Sequence, residues 1–426
     1  MRVLVVGGGG REHALCWALA RDPAVEGLYA APGNAGIAEL ASPVPVAATD
    51  VDGIAGFAER ESIDLTVVGP EGPLVAGLAD ELQARGLPVF GPSQAGARVE
   101  GSKAWARELC ERYGIPGPQS RRFDRIGPAE EYLEGIEGPI VVKADGLAAG
   151  KGVTVASGRP EARRALRDCL VTGVFGDAGR TVLVEECLEG PEVSALALVG
   201  GGHVEPLVLA QDYKRAGDGN EGPNTGGMGA YSPVPFVDPE TEAQILDGIL
   251  KPAAAALQRE GVDYRGVLYA GLMLTAEGPK VLEFNCRFGD PETQVILPRL
   301  ASGLGRALLA CAEGRLEAER LEWRSEASVG VVAASDGYPG TVQTGKPISG
   351  LAEAASMQDV MVFHSGTARR DGRVVTAGGR VLTVAALGPS LEEARARAYE
   401  AVAAICFDGM WFRTDLAGEL PQGAAR

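Results

Sequence analysis

The sequence is poor in the residues from which many common active sites are built. Only three of its 426 residues are histidines, and its seven scattered cysteines contain no C-x-x-C pair. A histidine-rich metal centre or a Ser/His/Asp triad would therefore be hard to assemble, and structural zinc does not fit the cysteine spacing. An odd number of scattered cysteines is typical of a reducing compartment, so we expect a cytoplasmic protein.

Basic residues and long apolar runs are also scarce. The chain has 40 Lys and Arg against 57 Asp and Glu, which gives a net charge of −17. Nucleic acid is not an expected partner, because binding to its backbone requires a concentrated basic surface. No stretch approaches the roughly 20 apolar residues that span a bilayer, and the run Val3–Val6 is too short for a signal peptide. Any phosphate ligand must therefore be held by local groups.

Strands alternate with helices over the first hundred residues. Arg2–Val6 is predicted to be a buried strand that leads through four glycines into a helix, and Leu65–Val68 repeats the pattern. This alternation predicts a parallel α/β (Rossmann-like) domain over residues 1–102. Ligands of such sheets bind at the carboxyl ends of the strands. In this sequence those ends are the turns Gly7–Glu12, Pro32–Gly36 and Gly69–Glu71.

Short strands and hairpins follow from about Lys103. They predict an α+β domain with antiparallel sheets over residues 103–324, including a smaller subdomain over about 120–190, and a further α+β domain over 325–426. The segment Gly217–Ser232 is rich in Gly, Asn, Asp and Pro, and we expect either an ordered functional loop or a mobile one there. The tail Leu416–Arg426 has little apolar pattern and is expected to fray.

The most informative segment is the octapeptide Glu283–Asp290. On a strand, Glu283, Asn285 and Arg287 project to the same side because successive side chains alternate between the two faces. Carboxylate and amide oxygens suit Mg²⁺, and a neighbouring guanidinium can brace phosphates. The pattern therefore predicts a magnesium–phosphate site. The alternative is a solvated strand face with one ion pair.

The first glycine-rich turn does not match the dinucleotide fingerprint G-x-G-x-x-G, because Glu12 occupies the third glycine position. NAD binding is therefore disfavoured. A helix N-terminus with free backbone N–H groups beside Arg11 remains, and we predict that it binds a phosphate monoester. Glu12 would repel a phosphate, so we expect it to contact a hydroxyl or an amine. The alternative is a plain turn between strand and helix.

The second glycine-rich element, Lys143–Gly152, does not match a P-loop, because Gly152 stands where Ser or Thr is required. It enters a strand at Val153, which favours a flexible hairpin lid whose backbone and Lys151 approach phosphates. Lys143 ends an apolar run and is costly to bury unless an anion pairs with it. The alternative is a loop flanked by two solvated lysines.

A third element is the apolar strand Thr181–Glu185, which runs into an acidic segment that ends at Glu192. Its backbone amides suit an adenine edge, and Glu192 suits ribose hydroxyls. Acidic loop ends are also commonly just solvated, so this signal is weak by itself.

Together these elements resemble the ATP-grasp ligases and, within them, the glycinamide ribonucleotide synthetase (phosphoribosylamine–glycine ligase) family. The resemblance rests on strings that follow one another over roughly the first 300 residues. They include GGREHA, APGNAG, EGSKA, KADGLAAGKGV, QDYKR, GPNTGGMGAYSP and EFNCRFGDPETQ, and HSGT and GGRVL extend the likeness into the C-terminal unit.

The resemblance implies a central ATP-grasp fold of two antiparallel α+β subdomains, with ATP between them. It implies that Glu283 and Asn285 bind Mg²⁺ or Mn²⁺ and that Arg287, Asp290, Lys151 and Asp212 are catalytic. The implied nucleotide contacts are Lys103, Lys143, Gly150, Lys151, Gly152, Glu185, Glu186, Leu188 and Glu192. The implied substrate contacts are Gly9, Gly10, Arg11, Glu12, Glu71, Asp212, Lys214, Asn224, Thr225, Gly226, Gly227 and Arg287.

The family likeness further implies a monomeric carbon–nitrogen ligase of purine biosynthesis that consumes ATP, glycine and 5-phosphoribosylamine and passes through glycyl phosphate. A carboxylase that forms carboxyphosphate is the alternative within the same fold, and dependence on glycine or on bicarbonate separates the two. A nicotinamide dehydrogenase would need the missing glycine fingerprint. A non-catalytic nucleotide-binding module would show no glycine-dependent ADP release.

Overall fold

The first five strands form a parallel sheet in the order β3-β2-β1-β4-β5. The computed structural model describes residues 1–148 and 152–418. Val3–Val6 are completely or almost completely buried, as expected for a central parallel strand covered on both faces. The strands are β1 (Arg2–Gly7), β2 (Gly27–Pro32), β3 (Ser42–Pro43), β4 (Leu65–Val68) and β5 (Val89–Phe90). The helices are α1 (Gly10–Leu19), α2 (Val51–Arg60), α3 (Glu71–Val75), α4 (Leu78–Ala84) and α5 (Gln94–Gly101).

A small antiparallel unit follows α6 (Lys103–Tyr113). Its sheet has the order β6-β9-β7-β8 and packs on two helices around a hydrophobic cluster of its own. The strands are β6 (Ser120–Phe123), β7 (Ile140–Ala144), β8 (Val153–Ala156) and β9 (Val182–Glu186), and the helices are α7 (Ile126–Leu133) and α8 (Arg159–Arg167). We refer to this unit, residues 120–186, as the lid.

A second antiparallel sheet has the order β11-β10-β16-β17. Its long central strands alternate between the two buried clusters on either side of the sheet, which explains their almost continuous apolar sequences. The elements of this region are β10 (Glu192–Gly200), β11 (His203–Pro206), β12 (Gln211–Asp212), β13 (Arg215–Gly217), β14 (Glu221–Asn224), β15 (Gly229–Ser232), α9 (Pro239–Ile245), α10 (Lys251–Arg259), β16 (Gly266–Thr275), β17 (Gly278–Asn285), α11 (Thr293–Ile296) and α12 (Leu304–Glu313).

The third large sheet combines distant parts of the chain. Its order is β12-β15-β18-β22-β19, and β23 also pairs with β18. The segment Gly217–Ser232 is therefore not a plain loop, because it contains most of the β13–β14 hairpin and the strand β15. The remaining elements are β18 (Ala327–Ser335), α13 (Leu351–Ser356), β19 (Val360–His364), β20 (Thr367–Arg370), β21 (Arg373–Thr376), β22 (Arg380–Gly388), α14 (Leu391–Ala403) and β23 (Met410–Trp411).

The start of the tail differs from the sequence-based expectation. Leu416 is completely buried and packs in the cluster between β18, β22 and α14, so the expectation that this residue frays is wrong. The sequence around Leu416 shows no apolar pattern, because this one leucine makes the hydrophobic contact. Over the residues that the structure describes, no helix is both long and apolar enough to cross a membrane.

Two histidines join helix α1 of the N-terminal domain to the C-terminal sheet. The His364 backbone N–H donates to His13 Nδ1 at 2.7 Å, and Asn34 Nδ2 donates to the carbonyl oxygens of Gly8 and His364. Burial lowers the pKa of His13 to about 3, with a smaller contribution from His364. Burial likewise lowers the pKa of His364 to about 4, with help from Arg369. Both rings are therefore neutral at pH 7.

Acidification is expected to weaken this junction. Because folding lowers both pKa values, the unfolded chain binds more protons below about pH 6.5, so the stabilisation is complete above that pH and is lost as the pH falls towards 4 and below. His13→Asn retains an acceptor for the His364 N–H and removes one titrating ring. Its unfolding temperature should fall less between pH 7 and 5 than that of the parent. His203→Asn is the control, and equal decreases in all three proteins would contradict the prediction.

Candidate active site

One cavity of about 1160 Å³ lies where the lid, the two large sheets and the N-terminal domain meet. It collects predicted site residues that are up to 279 positions apart in the chain. Those that line it are Arg11, Glu71, Lys103, Lys143, Gly152, Glu185, Glu186, Leu188, Glu192, Asp212, Lys214, Asn224, Thr225, Gly226, Glu283, Asn285, Arg287 and Asp290. Gly9, Gly10, Glu12 and Gly227 do not line it. Gly150 and Lys151 lie outside the described residues.

A buried charge triad forms the lid side of the cavity. Glu185 on β9 accepts from Lys143 Nζ on β7 at 2.7 Å and from Arg107 Nε on α6 at 3.2 Å. Lys143 Nζ also donates to the Leu282 carbonyl at 2.8 Å. The anion that Lys143 requires is thus a carboxylate of the same chain. Arg107 was not predicted, because an arginine on an amphipathic helix looks the same in sequence whether it faces solvent or a buried acid.

The acidic segment after β9 also reaches the cavity. Glu186 Oε1 accepts from the Gln119 backbone N–H at 2.9 Å, which ties β9 to the start of the lid. Glu192 Oε2 lies 2.7 Å from Lys214 Nζ. The carboxylate that was predicted to meet ribose hydroxyls is therefore paired with a lysine from the segment between β12 and β13.

Strand β17 presents Glu283 and Asn285 to the cavity, and Arg287, two residues after the strand ends, lines it as well, as the alternating pattern predicted. Burial opposes ionisation of Glu283, but the nearby ammonium groups, Lys214 first among them, outweigh burial and hold the pKa of its carboxyl below its usual range. Asn285 Oδ1 accepts from Arg287 Nη2 at 3.3 Å. A charged carboxylate and an amide oxygen are therefore adjacent on one face.

Two carboxylates from the N-terminal domain orient Arg287. Its Nη2 lies 2.8 Å from Glu100 Oε1, and its Nε lies 3.2 Å from Glu71 Oε2. Glu100 also accepts the backbone N–H of Cys286 at 2.8 Å. Sequence reasoning missed Glu100, although it is the first residue of the EGSKA string. It joins the end of α5 to the segment that follows β17.

Two backbone N–H groups at the start of α1 are occupied by carboxylates, which corrects the expectation that the N–H groups of this turn are free. The Gly9 N–H donates to Glu12 Oε2 at 2.6 Å, and the Arg11 N–H donates to Asp290 Oδ2 at 3.4 Å. Glu12 is buried and also accepts from Arg11 Nε at 2.7 Å. Its carboxylate therefore closes the first turn of its own helix and orients Arg11, and it does not face the cavity.

Asp290 connects this helix start with the C-terminal sheet. Its Oδ1 accepts from Gln294 Nε2 at 2.8 Å and lies 3.3 Å from Arg380 Nη1. Arg380 Nη1 also donates to the Gly226 carbonyl at 2.6 Å, and the Gly226 N–H donates to the Tyr338 hydroxyl. Arg380 and Tyr338 both line the cavity and were not among the predicted site residues. Arg380 lies in the GGRVL string, so the sequence did contain a motif that could have identified it.

Asp212 and Lys214 stand on the segment that leads into hairpin β13–β14. Burial raises the pKa of Asp212 well above its usual range, and the carboxylates of Glu292, Glu192 and Glu283 add to this, whereas Lys214 opposes it. Burial disfavours the charged form of Lys214, but surrounding carboxylates, Glu192 foremost, raise its pKa. The cavity therefore contains a carboxyl group that can exchange a proton near neutral pH.

Models of three domains of phosphoribosylglycinamide synthetase match this chain in order. The N domain matches residues 1–100, the ATP-grasp (A) domain residues 101–293 and the C domain residues 328–419. A phosphoribosylamine–glycine ligase of Nostoc sp. is 51% identical over 421 residues, which is 98% of this chain and 99% of that protein. One from Salmonella typhimurium is 48% identical over 420 residues and covers 98% of each chain.

Solved structures agree with these sequence matches. The crystal structure of a phosphoribosylamine–glycine ligase from Thermotoga maritima has a TM-score of 0.85 and 34% identity, and covers 97% of this chain and 100% of its own. A biotin carboxylase domain of a Hydrogenobacter thermophilus 2-oxoglutarate carboxylase, solved with MgADP and bicarbonate, has a TM-score of 0.73 over 96% of this chain and 91% of its own. At 17% identity, that likeness shows the fold alone. The predicted fold class is confirmed.

The buried triad gives a prediction about stability. Glu185→Gln should lower the free energy of unfolding by about 3 kcal/mol or more, because it leaves Lys143 and Arg107 buried without their counter-charge. Glu130→Gln removes a surface ion pair with Arg167 in the same lid and should cost less than about 1 kcal/mol. Chemical unfolding of both variants checks this. Similar losses in the two variants would mean that the triad is no more important than a surface pair.

Proposed function

The chain belongs to the phosphoribosylglycinamide synthetase family, and we propose that it ligates glycine to 5-phosphoribosylamine in purine biosynthesis. ATP is converted to ADP and phosphate, and the product is glycinamide ribonucleotide. One observation carries the proposal. A single cavity brings Glu283, Asn285 and Arg287 together with Lys103 and Lys143, with Asp212 and Lys214, and with the Arg11 end of the N-terminal domain.

The reaction explains why the site needs no protein nucleophile. A carboxylate is a poor electrophile, so glycine must first accept the γ-phosphoryl group of ATP and become glycyl phosphate. The amine of phosphoribosylamine then attacks the carbonyl carbon, and phosphate leaves. Both steps depend on positioning and on compensation of negative charge. A chain with three histidines and a cavity rich in lysine and arginine suits this chemistry.

Glu283 and Asn285 are the proposed ligands of Mg²⁺ or Mn²⁺. Within residues 1–148 and 152–418, no cluster of three His, Cys, Asp or Glu side chains offers a complete metal cage. The oxygen pair fits Mg²⁺, which typically takes one or two protein carboxylates and completes its shell with water and phosphates. When bound, the ion would neutralise phosphate charge during phosphoryl transfer.

Lys103 and Lys143 are the proposed phosphate contacts. Burial lowers the pKa of Lys103, and the lysine donates from Nζ to the Gly146 carbonyl at 3.0 Å at the base of the glycine-rich element. This contact links the phosphate end of the cavity to the segment expected to close over it. Gly150 and Lys151 keep their proposed role in that closure on the strength of the family likeness. The segment Glu185–Leu188 is proposed to hold the adenine.

Phosphoribosylamine is proposed to bind between the N-terminal domain and the C-terminal sheet. Arg11, Arg287 and Arg380 are the cationic groups on that side of the cavity. Asp290 accepts from the Arg11 backbone N–H and pairs with Arg380, so it orders this side of the cavity before the substrate binds. Asp212 is the proposed proton acceptor for the attacking amine, because its raised pKa matches that role. One chain supplies all these groups, and we propose a cytoplasmic monomer.

The proposed activity makes a direct prediction. The purified protein should release ADP from ATP when glycine and phosphoribosylamine are both present, and should form one glycinamide ribonucleotide for each ADP. Bicarbonate in place of glycine should give no stimulation. ADP and the amide product are measured in the same reaction. Stimulation by bicarbonate alone would instead favour a carboxylase.

The proposed metal ligands give a second prediction. Glu283→Gln should lower kcat on the order of 10²-fold and should increase the Mg²⁺ concentration required for half-maximal rate, because an uncharged amide replaces the carboxylate. Glu277→Gln, at the solvent-exposed turn of the same hairpin, is the matched control and should be unaffected. Normal turnover of Glu283→Gln at limiting Mg²⁺ would refute the assignment.

A further inference from the structure

Residues 413–417, which we call the strap, cross over hairpin β13–β14. Arg413 is only 1% exposed, although it carries a permanent charge. Its Nε and Nη2 form a fork on the Asp415 carboxylate at 2.8 and 2.6 Å, and its Nη1 donates to the Arg215 carbonyl and to Asn220 Oδ1, both at 3.0 Å. A guanidinium that is buried with so many donors satisfied has one defined position.

Asp218 of the hairpin tip and Asp415 of the strap hold the two segments together. Asp218 accepts from the Thr414 backbone N–H at 2.8 Å and also from the Thr414 hydroxyl. The Gly219 N–H donates to Asp415 Oδ2 at 2.9 Å. The tip residues of the hairpin therefore bind a segment that lies about 200 positions later in the chain.

The other side of the strap is fixed to helix α14 and to strand β15. Arg395 on α14 donates to the carbonyls of Leu416 and Thr414, and the Tyr399 hydroxyl donates to the Arg413 carbonyl at 2.8 Å. The Leu416 side chain fills the space above Gly229 on β15, where a Cβ would collide with it. The strap thus connects a rigid helix to the hairpin.

The base of the hairpin belongs to the active-site cavity. Tyr213 lies between Asp212 and Lys214 and lines the cavity with them, as do Arg215 and Asn220. The Arg413 guanidinium lies 4.8 Å from the centre of the Tyr213 ring, and the Tyr213 hydroxyl accepts from the Ala417 N–H at 2.9 Å. The strap therefore holds Tyr213, which is adjacent in sequence to Asp212, the proposed proton acceptor.

We propose that the strap positions Asp212 and Lys214 for the reaction and that Arg413 and Asp218 are positioning residues that touch no substrate. This role rests on the proposed function, which places Asp212 and Lys214 where the amine meets glycyl phosphate. Release of the strap would leave hairpin β13–β14 as an isolated two-stranded element, which is only marginally stable in water. The hairpin would then sample other positions, and the geometry at its base would be lost.

The kinetic test uses exposed aspartates, because removing the buried Arg413 could prevent folding. Asp218→Ala should lower kcat/KM for glycine about five- to tenfold and leave the KM for ATP within about twofold. Asp218→Asn, which keeps an acceptor for the Thr414 N–H, should recover most of that loss. Asp408→Ala removes an aspartate that pairs with Lys346 in the same domain and should change nothing. Identical constants for Asp218→Ala and Asp408→Ala would overturn the proposal.

Hydrogen exchange tests the strap without any assay of activity. Deuterium uptake by residues 213–224 should be faster in Asp218→Ala than in the parent and unchanged over α13. Unchanged uptake in the hairpin would show that the strap does not hold it. If the parent formed no glycinamide ribonucleotide, the proposed function would fail, while the exchange result would still decide whether the strap orders the hairpin.

Discussion

The site depends on pairing buried positive charge with buried carboxylates. A polyanion such as ATP needs cations, but an ammonium or guanidinium group is costly to remove from water unless a counter-charge is close. Most cations of this cavity have such a partner, whereas Lys103 donates to the Gly146 carbonyl. Glu185 pairs with Lys143 and Arg107, and both Glu100 and Glu71 pair with Arg287. Glu192 pairs with Lys214, and Asp290 pairs with Arg380. An acidic chain can thereby keep the cations of this cavity in place before any ligand binds.

The same ion pairs explain why the cavity requires the whole fold. Arg287, just after β17, is held by carboxylates of the N-terminal domain, and Arg380 on β22 is held by Asp290, which follows in the same segment. The pairs therefore connect units that also share buried hydrophobic clusters. Strands β12 and β15 strengthen this connection, because they leave the central region and pair in the C-terminal sheet. Displacing one unit would leave charges of another unit unpaired.

Sequence reasoning succeeded where a local pattern carries the chemistry. The alternation of Glu283, Asn285 and Arg287 follows from strand geometry, and the structure places all three on the cavity. It was less informative about the partners of individual side chains, whether these are near or distant in the chain. Glu12 was expected to face a ligand, but it closes the first turn of α1 and orients Arg11. Arg107 and Glu100 lie on helices whose sequences do not reveal which neighbour they face.

The sequence by itself determined the family, the order of the domains' motifs, the strand that carries the proposed metal ligands and the absence of a dinucleotide fingerprint. These features depend on residues close together in the chain, and strand or turn geometry fixes their relations. Only the tertiary structure decided which anion pairs with Lys143, that Asp290 occupies the start of α1, and that Arg413 holds a hairpin about 200 residues away. The residues in such contacts are far apart in the chain, and the sequence does not reveal that they are close in space. Only the packing of the sheets brings them together.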